Sequence, residues 1–260
     1  MAQHQELKRK VDVLELPEKH DTPPLVSIEV PKMCDLPNKS EPWSDDWLPV
    51  DILLLTVEDC EFLACYAFMK NRFKSYHKDL GFVYFGNVGE SEREQLKVAL
   101  MKCCEGSSGP GSSLIVTKNA VAQLRPKVVY SVGCCESLKP DTVRLGDVVI
   151  SSKLSTEAFR TPVGKDIGKL ILHSSDGWNP PLKIPNAREV NVHRDGEILS
   201  GVGPPGAQLL HVSNSNVTAV ESEGEGWAYF CFKSVILLVG LCIICNSSPI
   251  VVLNMFQVRK

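Results

Sequence analysis

The feature that most constrains the fold is Asp51-Ile52-Leu53-Leu54-Leu55, an apolar run with no polar alternation. A strand that is apolar at every position buries both faces, and such strands lie inside largely parallel sheets covered on each side by helices. The run passes into Thr56-Val57-Glu58-Asp59, whose polar and acidic residues suit the first turn of a helix. Apolar residues then recur at Phe62, Leu63, Ala64, Tyr66, Ala67 and Met69, and Cys60 and Cys65 fall within this pattern. The same reasoning predicts strands over 82–85, 128–133, 145–151, 197–200 and 217–220. It predicts helices over 91–104, after a turn at 86–89, and from a glycine-rich turn at 105–111 to Leu124, with a break at Pro126. Residues 152–190, with Trp178, Pro180 and Pro181, read as a less regular insertion. Strands alternating with helices predict a three-layer α/β/α domain around a central mixed, largely parallel sheet.

Two flanking segments do not share this pattern. Residues 1–48 are polar and acidic, punctuated by Pro17, Pro23, Pro24, Pro31, Pro37 and Pro42, and predict a disordered or loosely packed arm with a short strand at 26–30. The alternative is an arm packed on the domain or on a partner subunit. The ordered domain is expected over 49–233 and an apolar tail over 234–260. Within that tail, 235–245 is apolar apart from Gly240, and 250–253 adds four more apolar residues. It reads as a buried strand or core helix, as a membrane anchor through 234–255, or as an unpaired, aggregation-prone end. A membrane span needs about 20 predominantly apolar residues, and Asn246-Ser247-Ser248-Pro249 interrupts this one.

Composition narrows the chemistry. A net charge of −3 gives no basic surplus for holding nucleic acid. The ten cysteines include the vicinal pairs Cys103-Cys104 and Cys134-Cys135. Only Cys242-x-x-Cys245 has metal-like spacing, inside an apolar run and without a second pair, so buried reduced thiols are expected rather than a disulfide framework or a metal site. The first ten residues have no apolar core and are not a signal peptide, and a cytoplasmic location is expected. No G-x-S-x-G elbow is present, and Gly106–Gly111 lacks the G-K-[ST] ending of a phosphate-binding loop.

Four segments in order, ILLLTVEDCEFLA, LRPKVVYSVGCCESLKPDTVRLGDVVIS, VHRDGEILSG and AVESEGEGWAYF, span roughly 50–230. They resemble the nucleoside phosphorylase and methylthioadenosine/S-adenosylhomocysteine nucleosidase superfamily. The resemblance implies cleavage of the N-ribosyl bond of a purine nucleoside by water or by phosphate, without metal or organic cofactor, and assembly into homo-oligomers. It implies that Glu61 positions and deprotonates the attacking water. Glu223 would bind the ribose hydroxyls, and Glu221 fits the preceding acidic position. Gly133, Cys134 and Cys135 lie in the loop that brushes base and sugar. Without a ligand, Glu61 would be a solvated carboxylate at a helix start, and Glu221 and Glu223 an acidic loop beside Glu225. Asp147 in LGDVV reads as a turn or hydrogen-bonding residue, His193 as the approach to a strand, and His173 as a residue without a role.

The sequence also departs from the pattern. Cys134, Cys135 and Glu136 stand where small residues let the backbone approach a ligand, Ser222 where a ribose-packing methionine is expected, and Pro204 where an aromatic often stacks on the base. After Phe230 the pattern continues to a buried strand and a Ser-Asp pair whose aspartate assists the leaving base. No Asp or Glu follows Glu225 here, which reads as a divergent or truncated C-terminus. The alternative function is therefore a catalytically inactive binding or regulatory module of the same fold.

Overall fold

The computed structural model describes residues 25–89, 91, 95–105, 111–139, 141–155, 160–162, 165–173, 176, 179–184, 189–200, 217–221 and 237–244. The apolar run forms β1 (Ile52–Thr56), buried at all five positions. It pairs in parallel with β4 (Leu96–Lys102) on one side and β5 (Val128–Ser137) on the other. Beyond β4, the antiparallel strands β3 (Gly81–Val88) and β2 (Lys70–His77) complete that end of the sheet.

On the other side of β1 the sheet closes on itself. β10 (Leu237–Ile244) lies between β5, to which it is parallel, and β6 (Val148–Ser155), to which it is antiparallel. From β6 the pairing continues in parallel to β8 (Val192–Ser200) and β9 (Val217–Glu221), and β9 returns to pair antiparallel with β5 at Glu136 and Ser137. β7 (Arg160–Pro162) hangs on β6. The ring β5–β10–β6–β8–β9 removes edges, and it is tight: a Cβ on Gly196 would lie 2.4 Å from Val149 Cγ1. Of the readings of the apolar tail, residues 237–244 take that of a strand within the sheet. Among the described residues, no helix is long and apolar enough to cross a membrane.

Three α-helices are described, and with the sheet they give the three-layer α/β/α architecture. α1 (Asp59–Phe68) buries Phe62, Leu63, Cys65 and Tyr66 against one face, sharing a core with Ile52, Leu54, Leu100, Val132 and Ile150. Ile171 of α3 (Lys165–His173) joins the same core. α2 (Ser113–Leu124) covers the opposite face with Ala120 and Leu124 against Leu53, Leu55, Ala99 and Val129. Alternate residues of β1 thus feed opposite cores, which is why the run has to be apolar throughout. Each fully buried leucine stabilises the fold by about 1.5–3 kcal/mol.

The structure corrects several sequence expectations. Residues 96–102 are a strand, not part of a helix. Glu, Gln, Lys, Leu and Met favour helix intrinsically, but Val98, Ala99, Leu100 and Met101 are wedged between β1 and β3 and are almost completely buried. Tertiary burial overrides propensity there. The turn expected at 86–89 falls largely within β3, and β2 has no counterpart in the sequence reading. The insertion at 152–190 contains the end of β6, β7 and α3. The strand expected at 26–30 reduces to one bridge between Val26 and Leu182. Residues 25–48 of the expected arm pack on the domain: Trp43 meets His77 at a tilt and Phe85 edge-on, and Trp47 meets Phe73 and Phe85 with ring centroids 4.8 and 6.0 Å apart.

Candidate active site

Parallel strands β1 and β5 end at the same edge of the sheet, where helix starts and loops converge and where ligands bind in open α/β folds. Glu61 sits there, in the first turn of α1 and only 7% exposed. Its Oε2 accepts hydrogen bonds from the amides of Val57 (3.0 Å) and Glu58 (2.9 Å), and its Oε1 accepts from the amide of Cys134 on β5 (2.7 Å). The Glu58 carboxylate in turn accepts from the Glu61 amide, so the two glutamates close a reciprocal cap. A solvated surface carboxylate is excluded by this burial. Glu61 ties the β1–α1 turn to β5 through backbone donors, and desolvated carboxylates bonded in this way are held in one orientation.

The neighbouring residues have different fates. A Cβ on Gly133 would lie 3.6 Å from Glu61 Oε1, an ordinary contact, so Gly133 lines the carboxylate without being sterically required there. Cys134 is half-buried, and its thiol hydrogen-bonds that of Cys60, the residue before Glu61. That hydrogen bond, followed by burial, pushes the Cys60 thiol above its ordinary range. The Cys135 side chain turns the other way, into a core with Val143, Val149, Ile198 and Ala219, so only its backbone faces the edge. Burial, with the Glu61 charge second, also pushes up the Cys65 thiol one turn along α1. Cys60 has no role in the sequence reading, since only the packing of α1 on β5 brings it near Cys134.

Glu221 ends β9, where the register Ser137↔Ala219, Glu136↔Val220 runs toward Cys135. The backbone therefore delivers Glu221 to the strand that carries Cys134. Glu223, Ser222 and Pro204 lie outside the described residues. Lys102, at the carboxyl end of β4, is paired with Asp59 of α1. Among the described residues, no group of three or more His, Cys, Asp or Glu could hold a metal ion.

A second buried carboxylate lies where β6 begins. Asp147 is 1% exposed and accepts from the amides of Arg144 (3.0 Å) and Asn191 (3.0 Å) and bonds His193 Nε2 (2.9 Å). The hydrogen-bonding role expected of Asp147 is what the structure shows, and His193 lies in β8, directly opposite Val149. His173 is exposed and bonds Asp176 at 2.8 Å.

The paired elements β1–α1 and β5–β9, with β10 closing the ring, define the class: a three-layer α/β/α fold of the kind seen in solved nucleosidases. Among solved structures, the chain is similar to the 5'-methylthioadenosine/S-adenosylhomocysteine nucleosidase of Neisseria meningitidis in complex with methylthio-immucillin-A, at 15% identity over 76% of this chain and 86% of that one, TM-score 0.60. It is similar to the putative nucleosidase of the same kind from Borrelia burgdorferi bound to adenine, at 14% identity over 74% and 85%, TM-score 0.59. A futalosine hydrolase mutant of Helicobacter pylori matches at 15% identity over 75% and 89%, TM-score 0.56. No protein-family model and no curated protein matches the chain. At these identities the likeness concerns the fold.

Proposed function

We propose that the edge formed by β1, β5 and β9 binds a purine nucleoside and that the chain cleaves its N-ribosyl bond, with Glu61 positioning the nucleophile. The observation that carries this reading is the buried Glu61 carboxylate, fixed by three backbone amides where α1 begins and β5 passes. Cleavage passes through an oxocarbenium-like sugar. A carboxylate held at the nucleophile's position orients water, accepts its proton and offsets the developing positive charge. Glu223 and Glu221 follow from β9, and a carboxylate there accepts both protons of a ribose cis-diol. Water is favoured over phosphate because Lys102, the cation at the carboxyl end of β4, is already engaged by Asp59.

The leaving base receives less help. β10 stands parallel to β5, with Ile243 opposite Cys134, and so ends at the same edge. The residues that follow it, Cys245-Asn246-Ser247-Ser248, offer no carboxylic acid. A missing general acid costs about 10²–10⁴-fold in rate, so slow turnover is expected. The same observation, with Glu136 in place of a small residue, supports a second reading: a module that binds the nucleoside without cleaving it.

Chromatography of free base separates the two. The folded chain is incubated with adenosine, inosine, methylthioadenosine and S-adenosylhomocysteine, with and without phosphate, beside Glu223→Ala. Base release lost in the variant supports the enzyme. Binding of nucleoside without release supports the module, and neither binding nor release removes both.

A further inference from the structure

β2 is the outermost strand at one end of the sheet, with β1, β4 and β3 between it and β5. Its two faces differ. Phe73 and His77 lie against Trp47 and Trp43 of the N-terminal arm, so that face is covered. On the other face stand Arg72, Lys74 and Tyr76, with Tyr84 and Phe82 of β3 opposite Lys74 and Tyr76. The cations rest on aromatic rings: Arg72 lies 4.4 Å from the centre of the Tyr66 ring and Lys74 4.9 Å from that of Phe82. Tyr76 meets Phe82 edge-on at 5.4 Å, and these two residues are 56% and 53% exposed. Among the described residues, no carboxylate pairs with Arg72 or Lys74. Lysines on an edge strand also discourage edge-to-edge pairing. That role needs no aromatic pair beside them, and two exposed rings work against it.

We propose that this open face of β2 docks an extended acidic peptide segment of a partner protein. Carboxylates of the segment meet Arg72 and Lys74, and an apolar side chain covers Tyr76 and Phe82. Alternate residues of a strand stand about 7 Å apart, and so do alternate side chains of an extended peptide. Glutamates at every second position therefore meet the two cations in step. Arg72 donates from Nη1 to the Tyr66 carbonyl at 3.1 Å and keeps its other donors for a carboxylate. The outer edge is already held by Glu41, whose amide donates to the Lys74 carbonyl at 2.7 Å and whose carbonyl accepts from Ser75 Oγ at 3.0 Å. The partner thus lies across the face and does not extend the sheet there. A single-stranded nucleic acid is disfavoured by the net charge of −3, because its binding rests on many cations neutralising phosphates. The inference does not depend on nucleoside cleavage.

The test titrates the full chain with a fluorescent peptide that alternates glutamate and threonine and ends in tryptophan. Anisotropy reads binding, and the amide spectrum of the labelled chain reads its place. The expected result is saturable binding that shifts Arg72, Lys74, Tyr76 and Phe82 and weakens with added salt. Replacing the peptide's glutamates by glutamine weakens it about tenfold. Lys74→Glu weakens it to a similar degree and gains binding of a peptide with lysine in place of glutamate, a swap that misfolding would not produce. Tyr76→Ser weakens binding while the urea midpoint stays near that of the unmutated chain. Equal binding of the glutamate and glutamine peptides overturns the proposal, as does binding that leaves those four resonances unmoved. No peptide binding by the folded chain also overturns it, whether the face then takes single-stranded oligouridylate or, by sedimentation, a second copy of the chain.

Discussion

Glu61 and Asp147 are both buried carboxylates that accept at least three hydrogen bonds, yet their surroundings differ. Three backbone amides donate to Glu61, two from its own helix start and one from β5. Asp147 takes two amides and a histidine, and every partner belongs to the approach to β6 or to β8. Asp147 is thus enclosed by the elements it joins. Glu61 is anchored from behind, at an edge where Cys134 is half-buried and where β9 delivers Glu221. A buried acid identifies an anchoring point; whether it is also a site depends on what else reaches the same edge.

The largest expected effect comes from Glu61→Ala. It strands three amides at a desolvated position, where each charge-assisted hydrogen bond contributes about 1.5–3 kcal/mol. A loss of about 3–5 kcal/mol in urea unfolding is expected, together with loss of nucleoside binding. A change below about 1 kcal/mol would show that Glu61 does not anchor α1 to β5.

Asp147→Ala is expected to cost about 2–4 kcal/mol, because two buried amides and His193 lose their acceptor. Nucleoside binding per folded molecule should stay at the unmutated level. If the folded variant cannot bind nucleoside, the distinction between the two carboxylates fails.

Gly196→Ala tests the tightness of the ring without touching either carboxylate. The added methyl would press into Val149 Cγ1, an overpacking worth about 1–3 kcal/mol. Val149→Ala should relieve most of it, and a double-mutant cycle measures that coupling. Simple additivity would place Gly196 elsewhere.

The smallest effect is at Asp51, which precedes β1 and pairs with Lys127 at 2.6 Å. Burial alone would raise its carboxyl; hydrogen bonds from Lys127 and the Lys97 amide, with both lysine charges, outweigh that and hold it below the usual range. A lowered folded pKa contributes stability above the unfolded value of about 3.9, and that contribution is lost as pH falls through the folded value. Because Lys127 is largely exposed, Lys127→Ala should cost less than about 1 kcal/mol at neutral pH and flatten the acid limb of stability against pH. An unchanged acid limb would remove the pair from the stability account.

Legibility followed burial. β1, α1 and β5 were readable because an uninterrupted apolar run means a strand covered on both faces, and Glu58 and Glu61 mark a helix start. Leu96–Lys102 was misread because its composition favours helix, and only the slot between β1 and β3 makes it a strand. β2 carries its side chains largely exposed and leaves little apolar signal. At the candidate site, the resemblance singles out Glu61, and its place after a buried strand agrees with a position at the sheet edge. Its three amide donors were not legible, because the Cys134 amide lies 73 residues away in sequence. The Asp147–His193 pair, 46 residues apart, likewise needs the β6–β8 register.

The central claim is that a nucleoside binds at the Glu61–Cys134 edge. The most direct measurement is the amide spectrum of the labelled chain titrated with methylthioadenosine. The account predicts saturable shifts at Val57, Glu58 and Cys134, lost in Glu223→Ala, while Arg144 and Asn191 beside Asp147 stay in place. Unchanged Val57, Glu58 and Cys134 resonances at saturating nucleoside, or shifts confined to the Asp147 side, would contradict it.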